Sequence, residues 1–249
     1  MKPDDTPSDL FAQMEGAVAF RLFADQDEPT FTVSEQIATR IGDRILDGTL
    51  QPGARVGEQE LAKEFAVSRG PIRDALRILE REGLITLLPR RGAVVTELNA
   101  NELRELLEIR AGLFEIVVRK LAAAPSPELL TLLWAGMARL QSLAEVEGAG
   151  GEYAETTYRL LILCARQSNN QRLRKMLTAL SLQTLRYSKL GLASVTRRRQ
   201  SVRLWQEATE AMTQRDVERA VALARQRIEE SGEEAIQMLQ THLPSGADT

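Results

Sequence analysis

The sequence predicts a mostly α protein in two parts: a winged helix-turn-helix of three helices plus a small β-hairpin, followed by an all-α antiparallel bundle of six or seven helices. Three observations carry this. Between residues 34 and 83, three short segments repeat their apolar residues at helical spacing. Two β-rich runs follow, Leu84 to Leu88 and Ala93 to Thr96, separated by Pro89-Arg90-Arg91-Gly92. From residue 99 to 240 nearly every segment is helical in pattern, with turn residues at regular breaks.

The helices follow in order. In SEQIATRIGDRILD, Ile37, Ile41 and Ile45 lie at i, i+4 and i+8, with Ser34 as the expected N-cap and Gly48 as the stop. A Pro-Gly turn leads to EQELAKEF, where Leu61 and Phe65 share a face of a helix ending near Ala66. Ser68 is the next expected N-cap, and Ile72, Ala75, Leu76 and Leu79 form the buried stripe of a third helix that ends at Gly83. Two short helices joined by three or four residues make a helix-turn-helix. In the second half, helices are expected near 100–123, 127–145, 152–167, 170–189, 194–214 and 216–240. The expected domains are therefore an arm over 1–30, a winged helix-turn-helix over 31–97, a helical domain over 98–241 and a tail over 242–249.

Composition narrows the chemistry. The 249 residues are 43% hydrophobic and 27% charged, the balance of a globular protein with room for two cores. No apolar run reaches the roughly 18 residues needed to span a bilayer, and the opening MKPDDTPSDLFAQMEG is acidic, so a cytoplasmic protein with no membrane partner is expected. One cysteine, Cys164, excludes an internal disulfide; one histidine, His242, leaves little for histidine-based catalysis. No nucleophile sits beside a base and no glycine loop cradles a phosphate, so no enzyme is expected.

Charge is unevenly placed. Residues 1–30 carry two basic against seven acidic residues, whereas residues 68–92 carry six arginines against three acids. Arg69 and Arg73 stand four apart in the first two turns of the third helix, away from its apolar stripe. A helix N-terminus already exposes free N–H groups and the positive end of its dipole. Arginine there is unfavourable within the helix and calls for an outside anion. DNA supplies one: phosphates for the charge and guanine O6 and N7 for the guanidinium fork. Gly70, by lacking a side chain, admits a close approach.

The run from Ser34 to Val95 closely resembles the DNA-binding domain of the GntR family of bacterial transcription regulators. The pieces ILDGTLQPG, ELAKEFAVSRGPIRDAL, LEREGLI and RRGAVV occur in order. The resemblance implies that Arg69 and Arg73 read bases, that Ser68 and Gly70 approach the backbone, and that Arg91 and Gly92 enter the adjacent minor groove. Gln59 in EQEL stands where many relatives have arginine, which alters a DNA contact. Double-stranded operator DNA is the implied partner. A homodimer on a pseudo-palindromic site is expected too, since one such module rarely reaches specific affinities of about 10⁻⁸ M.

In the helical half, Leu103, Leu107, Phe114, Val117 and Leu121 form a stripe on which Arg110 also falls. A charge on an apolar face must be paired, by a carboxylate from another helix or by an acidic ligand. The stretches LRELLEIRAGLFEIVVRKLAA and AMTQRDVERAVALARQRI resemble the first and last helices of the FCD effector domain, which marks the FadR branch of GntR regulators. That resemblance makes Arg110 the expected contact for a small anionic effector. Most such domains hold a metal through one Asp and three His, and the matching places here carry Thr157, Leu161, Trp205 and Arg227. No metal or other cofactor is therefore expected, and effector binding passes to Arg110 and Arg227, with Trp205, Thr157 and Leu161 around them. The implied function is a ligand-responsive repressor, released from its operator by a small organic acid. The alternative is an effector-blind DNA-binding scaffold with a closed, metal-free pocket. The TRRRQ run at 196–200 is expected to be a solvated helix start.

Overall fold

A computed structural model of the chain describes residues 32–88 and 92–242. The expected arm, the wing-tip residues Arg90 and Arg91, and the tail beyond His242 lie outside the described residues. Two compact units meet in sequence at Leu98–Asn99.

The first unit begins with α1 (Val33–Leu46), whose N-cap is Thr32 and not Ser34. Thr32 Oγ1 accepts from the Glu35 N–H at 3.2 Å while Glu35 Oε2 accepts from the Thr32 N–H at 2.8 Å. This reciprocal box needs Glu three residues after the cap, a spacing that Thr32 has and Ser34 lacks. Strand β1 (Arg55–Val56) precedes α2 (Glu58–Glu64) and α3 (Arg69–Arg81); β2 (Ile85–Leu88) and β3 (Gly92–Val95) follow. The antiparallel sheet has the order β1-β3-β2, with Ile85 opposite Val95, Leu88 opposite Gly92 and Arg55 opposite Val94. The two-residue β1 is too short to carry a period in the sequence; its pairing with β3 alone defines it. The core forms where α1 packs on α3, burying Ile37, Ile41 and Ile45 with Ile72, Ala75, Leu76 and Leu79.

The turn between α2 and α3 sets the angle of the arginine-bearing helix. Ala66 adopts φ 53°, the Val67 N–H reaches the Ala62 carbonyl at 3.1 Å and the Ala66 N–H reaches Lys63 at 3.3 Å. This left-handed helix end is usually built on glycine. An alanine serves here, which hides the turn from a search for Gly or Pro.

The second unit contains α4 (Ala100–Ala123), α5 (Pro127–Ala144), α6 (Gly150–Gln167), α7 (Gln171–Gly191), α8 (Val195–Thr213) and α9 (Val217–His242). Side-chain caps from Asn99, Ser126, Asn170 and Ser194 start α4, α5, α7 and α8. The first and last of these helices, α4 and α9, share their most extensive contact, and α9 also packs on α7 and α8.

Arginines 197 and 198 overturn the expected solvated start of α8. Arg198 is fully buried, and its guanidinium donates to the carbonyls of Leu192 (3.0 Å), Val146 (2.6 Å) and Ala193. It thereby clips the α5–α6 and α7–α8 connections together. Arg197 is also buried and pairs with Glu230 of α9 at 2.6 Å; Arg199, 60% exposed, remains at the surface with Glu145. The run is polar by composition, but carbonyls at loop ends supply acceptors for Arg198 and the Glu230 carboxylate for Arg197, which lets two of its three guanidiniums be buried.

At the end of α7, a Cβ on Gly191 would lie 2.1 Å from the Ser231 carbonyl oxygen and 3.2 Å from Ala235 Cβ. Only glycine allows this approach of α7 to α9. Gly191→Ala should therefore force the helices apart and cost about 2–3 kcal/mol, as overpacking of a filled site does. Denaturant titration measures it, and a variant as stable as the parent would show that the crossing is loose.

Candidate functional sites

The first site is the leading end of α3. Ser68, its N-cap, makes no side-chain cap bond, and no acid occupies the first turn. The backbone N–H groups there are left for an external acceptor. Ser68, Arg69 and Gly70 are all exposed, as is Gln59 on α2. A Cβ on Gly70 would approach only Ser68 Oγ, at 4.0 Å, so nothing within the protein demands glycine. Arg69 has no ion pair among the described residues.

Arg73 is more constrained. Its Nε donates to Glu58 Oε2 at 2.9 Å, and its side chain keeps 58% of its exposure. Glu58 opens α2, and no local sequence signal ties it to the site, because the two residues are separated in sequence and meet only when α2 packs on α3. Holding Nε leaves both terminal nitrogens of the fork for an outside partner. Glu58→Gln should therefore lower the ratio of operator to random-DNA affinity by about threefold to tenfold, while random-DNA binding rises as a negative charge is lost. Competition binding on the two DNAs reads both changes. Gly92 on the wing is exposed at φ 82°, with nothing within 4 Å of a Cβ position; Arg91 beside it lies outside the described residues.

The second site is a cavity inside the helical unit, walled by α4, α6, α7 and α9. Arg110, Thr157, Leu161 and Arg227 line it together, joined by Ser181 and Ser188. Its free space is about 30 Å³ for the centres of water-sized spheres, room for one or two waters. Trp205 is buried but does not line the cavity: the Arg227 guanidinium carbon sits 4.0 Å from its ring centroid and 5.9 Å from that of Phe114. The aromatic faces hold the cation in place through their quadrupoles.

Both arginines are buried, and no carboxylate of the described residues pairs with either. Arg110 donates to Thr184 Oγ1 at 2.6 Å and to Ser188 Oγ at 3.5 Å. Of the two partners left open for Arg110 by its sequence position, no carboxylate from another helix is in place among the described residues. Burial, with the Arg227 charge nearby, pushes Arg110 down to about 9, and burial pushes Arg227 down to about 10. Both values stay above neutrality, so both cations persist near pH 7. Arg110 Nε, Arg227 Nη2, Thr157 Oγ1 and Ser181 Oγ lack hydrogen-bond partners among the described residues. Buried polar atoms without partners cost free energy, and water or a ligand in the cavity would satisfy them.

The side chains at the places matched to a metal site do not fit a divalent cation. Leu161 has no donor atom, Trp205 offers only an N–H, and Arg227 is itself a cation. Among the described residues no group of three His, Cys, Asp or Glu could hold a metal. Cys164 is buried and its thiol is pushed up to about 12 by burial, which suits a core residue.

A helix-turn-helix presenting uncapped arginine-rich turns, joined to a helical unit with a buried cavity, defines a DNA-binding transcription regulator. Residues 33–95 match the family described as bacterial regulatory proteins, gntR family, and residues 105–230 match the FCD domain. The chain belongs to the GntR family and carries an FCD domain; the family is one of regulators, not enzymes. The gluconate operon transcriptional repressor of Bacillus licheniformis is 40% identical over 96 residues, 39% of this chain and 39% of that protein. The HTH-type transcriptional regulator YdhC of Bacillus subtilis is 39% identical over 98 residues, 39% of this chain and 44% of its own length. These matches span less than half of either relative. Among solved structures, McbR/YncC of E. coli superposes with TM-score 0.67 at 21% identity, covering 86% of this chain and 99% of that one. Lar of Listeria monocytogenes gives 0.59 at 20% identity, covering 85% and 100%. At such identities the likeness concerns the fold.

Proposed function

We propose that this regulator is a repressor of the FadR branch, bound as a homodimer to a pseudo-palindromic operator and released by a small organic acid held in a metal-free pocket. The observation that carries the effector reading is the pair of buried guanidiniums, Arg110 and Arg227, lining one cavity with no counter-charge among the described residues. Thr157 and Leu161 line the same cavity, and Trp205 supports Arg227 from behind. Repression is favoured by the relatives named as gluconate operon repressors. Ser68, Arg69, Gly70 and Arg73, with Gln59, form the DNA-reading surface, and Arg91 with Gly92 extends it at the wing.

A second copy of the chain has a face to meet. On α4, Ile109 and Ile116 are 52% and 53% exposed, and the half-buried Leu106 and Leu113 fall beside them. This spacing of three and four residues gives an apolar seam of the kind that pairs helices. No helix among the described residues is long and apolar enough to cross a membrane. A cytoplasmic site of action goes with the proposed operator binding.

Regulation requires only that the ligand prefer the arrangement that binds DNA less well. Titrating organic acids against operator-bound protein, followed by fluorescence anisotropy, tests this. Release by at least one acid is expected, together with loss of that response in Arg110→Ala; an unchanged response in the variant removes the pocket assignment. The small free volume favours one other reading, a scaffold blind to effectors. A thermal-shift screen separates the two, since a blind scaffold shows no ligand-dependent stabilisation.

A further inference from the structure

We propose that the ligand of this pocket carries two negative charges, as a compact dicarboxylate or a phosphate ester does, and that Arg227 reads the second of them. The inference rests on the anion-binding reading above and goes beyond it by fixing the charge of the ligand.

The argument is a count of charges around the cavity. Two cations, Arg110 and Arg227, line it, and the other polar walls are the neutral hydroxyls of Thr157, Ser181, Ser188, Ser231 and the phenol of Tyr158. The acids near Arg227 supply no counter-charge: burial pushes Tyr153 and Cys164 each up to about 12, so both are neutral near pH 7. Glu230 is engaged by Arg197 at 2.6 Å, and Glu155 by Lys189 at 2.8 Å. Arg197, a third buried cation, adds to the positive field on Arg227. The rings of Trp205 and Phe114 steady the Arg227 guanidinium, but a ring quadrupole is not a charge.

A monoanion would neutralise one guanidinium and leave the other buried beside it uncompensated. A dianion neutralises both, and, entering as the cavity widens beyond its present room for one or two waters, it also gives acceptors to the four donors that lack them among the described residues: Arg110 Nε, Arg227 Nη2 and the hydroxyls of Thr157 and Ser181. In a site of low dielectric the second charge therefore adds strongly to affinity. The two arginines come from different helices, α4 and α9, so a ligand bridging them ties the first helix of the unit to the last.

The test compares acids of matched shape and unequal charge on the full chain by titration calorimetry. Malonate, succinate and glutarate are each set against the monoamide of the same acid, and glycerol phosphate against glycerate, which separates the carboxylate and phosphate sources. The expected result is that at least one dianion binds about tenfold or more tightly than its singly charged partner. In Arg227→Gln that preference should shrink to about threefold or less, with the monoanion still bound through Arg110; Arg227→Lys, which restores the charge, should recover it. If monoanions bind the parent protein as tightly as their dianions, the two-charge inference is overturned and the anion pocket stands. If no anion of either charge binds, the pocket reading fails with it.

Discussion

Replacing Arg69 and Arg73 together with alanine should lower operator affinity on the order of 10²-fold to 10⁴-fold, at about 1–3 kcal/mol for each lost bidentate base contact. Both side chains are exposed and neither contributes to the Ile72, Ala75, Leu76 and Leu79 stripe, so α3 keeps its packing. The loss should be selective. Affinity for random DNA falls less, because phosphate contacts through the helix end and the wing remain, and the salt dependence of binding weakens by at most about two phosphate equivalents. Anisotropy titrations on operator and scrambled duplexes, at two salt concentrations, measure both effects. Retained affinity with retained selectivity would move base reading to another surface. Equal losses on both duplexes would reduce these arginines to phosphate contacts.

Arg110→Met should abolish the effector response and at the same time stabilise the ligand-free protein. Two effects compete. The change gives up charge-assisted hydrogen bonds to Thr184 and Ser188, but it removes a cation held without a counter-charge beside Arg227. Neither hydroxyl is orphaned by the loss, since Thr184 Oγ1 also donates to the Leu180 carbonyl at 2.8 Å and Ser188 Oγ to the Thr184 carbonyl at 3.1 Å. Removing the buried charge therefore wins, by about 1–2 kcal/mol, in line with replacements of buried ionic groups by apolar ones of similar volume. In a chain of this size that is a rise in melting temperature of roughly 2–8 °C, read by calorimetry without ligand. A fall in melting temperature would mean that Arg110 has a counter-charge and is structural. The alkaline limb checks the sign. A guanidinium whose folded value is pushed down to about 9, well below its ordinary value, destabilises the fold fully at neutral pH. Stability is regained as pH rises from about 9, and the methionine variant should lack that gain.

A cavity that holds two buried cations with no counter-charge among the described residues is costly to keep. Under the anion-binding reading proposed above that cost is returned when the anion binds, which would couple ligand binding to helix packing through the same charges. Stability sacrificed at a binding site is a common trade in natural proteins.

Much of this molecule was legible in residue order because its signals are local. The helix-turn-helix followed from apolar spacing and cap residues, and the helices of the second unit were marked by Ser, Asn, Pro and Gly at their ends except at the α8–α9 junction, Gln214-Arg215-Asp216. Arg110 stood out because a charge interrupted an otherwise apolar stripe, and it is buried at that place. Where one local signal competed with another, the reading slipped. Ser34 and Thr32 are both cap formers, and only the position of Glu35 separates them.

What the sequence by itself determined, then, is the order and kind of the helices, the arginines at the start of α3 and the charged residue within α4. The tertiary structure alone decided which of the many arginines are buried, that Glu58 holds Arg73, that Arg198 is a clip between connections, that Trp205 lies behind Arg227 and not on the cavity wall, and that β1 exists. The physical reason is range. Backbone hydrogen bonds and caps act between residues three or four apart, whereas the partner that makes a buried guanidinium tolerable comes from another helix and leaves no period in the chain.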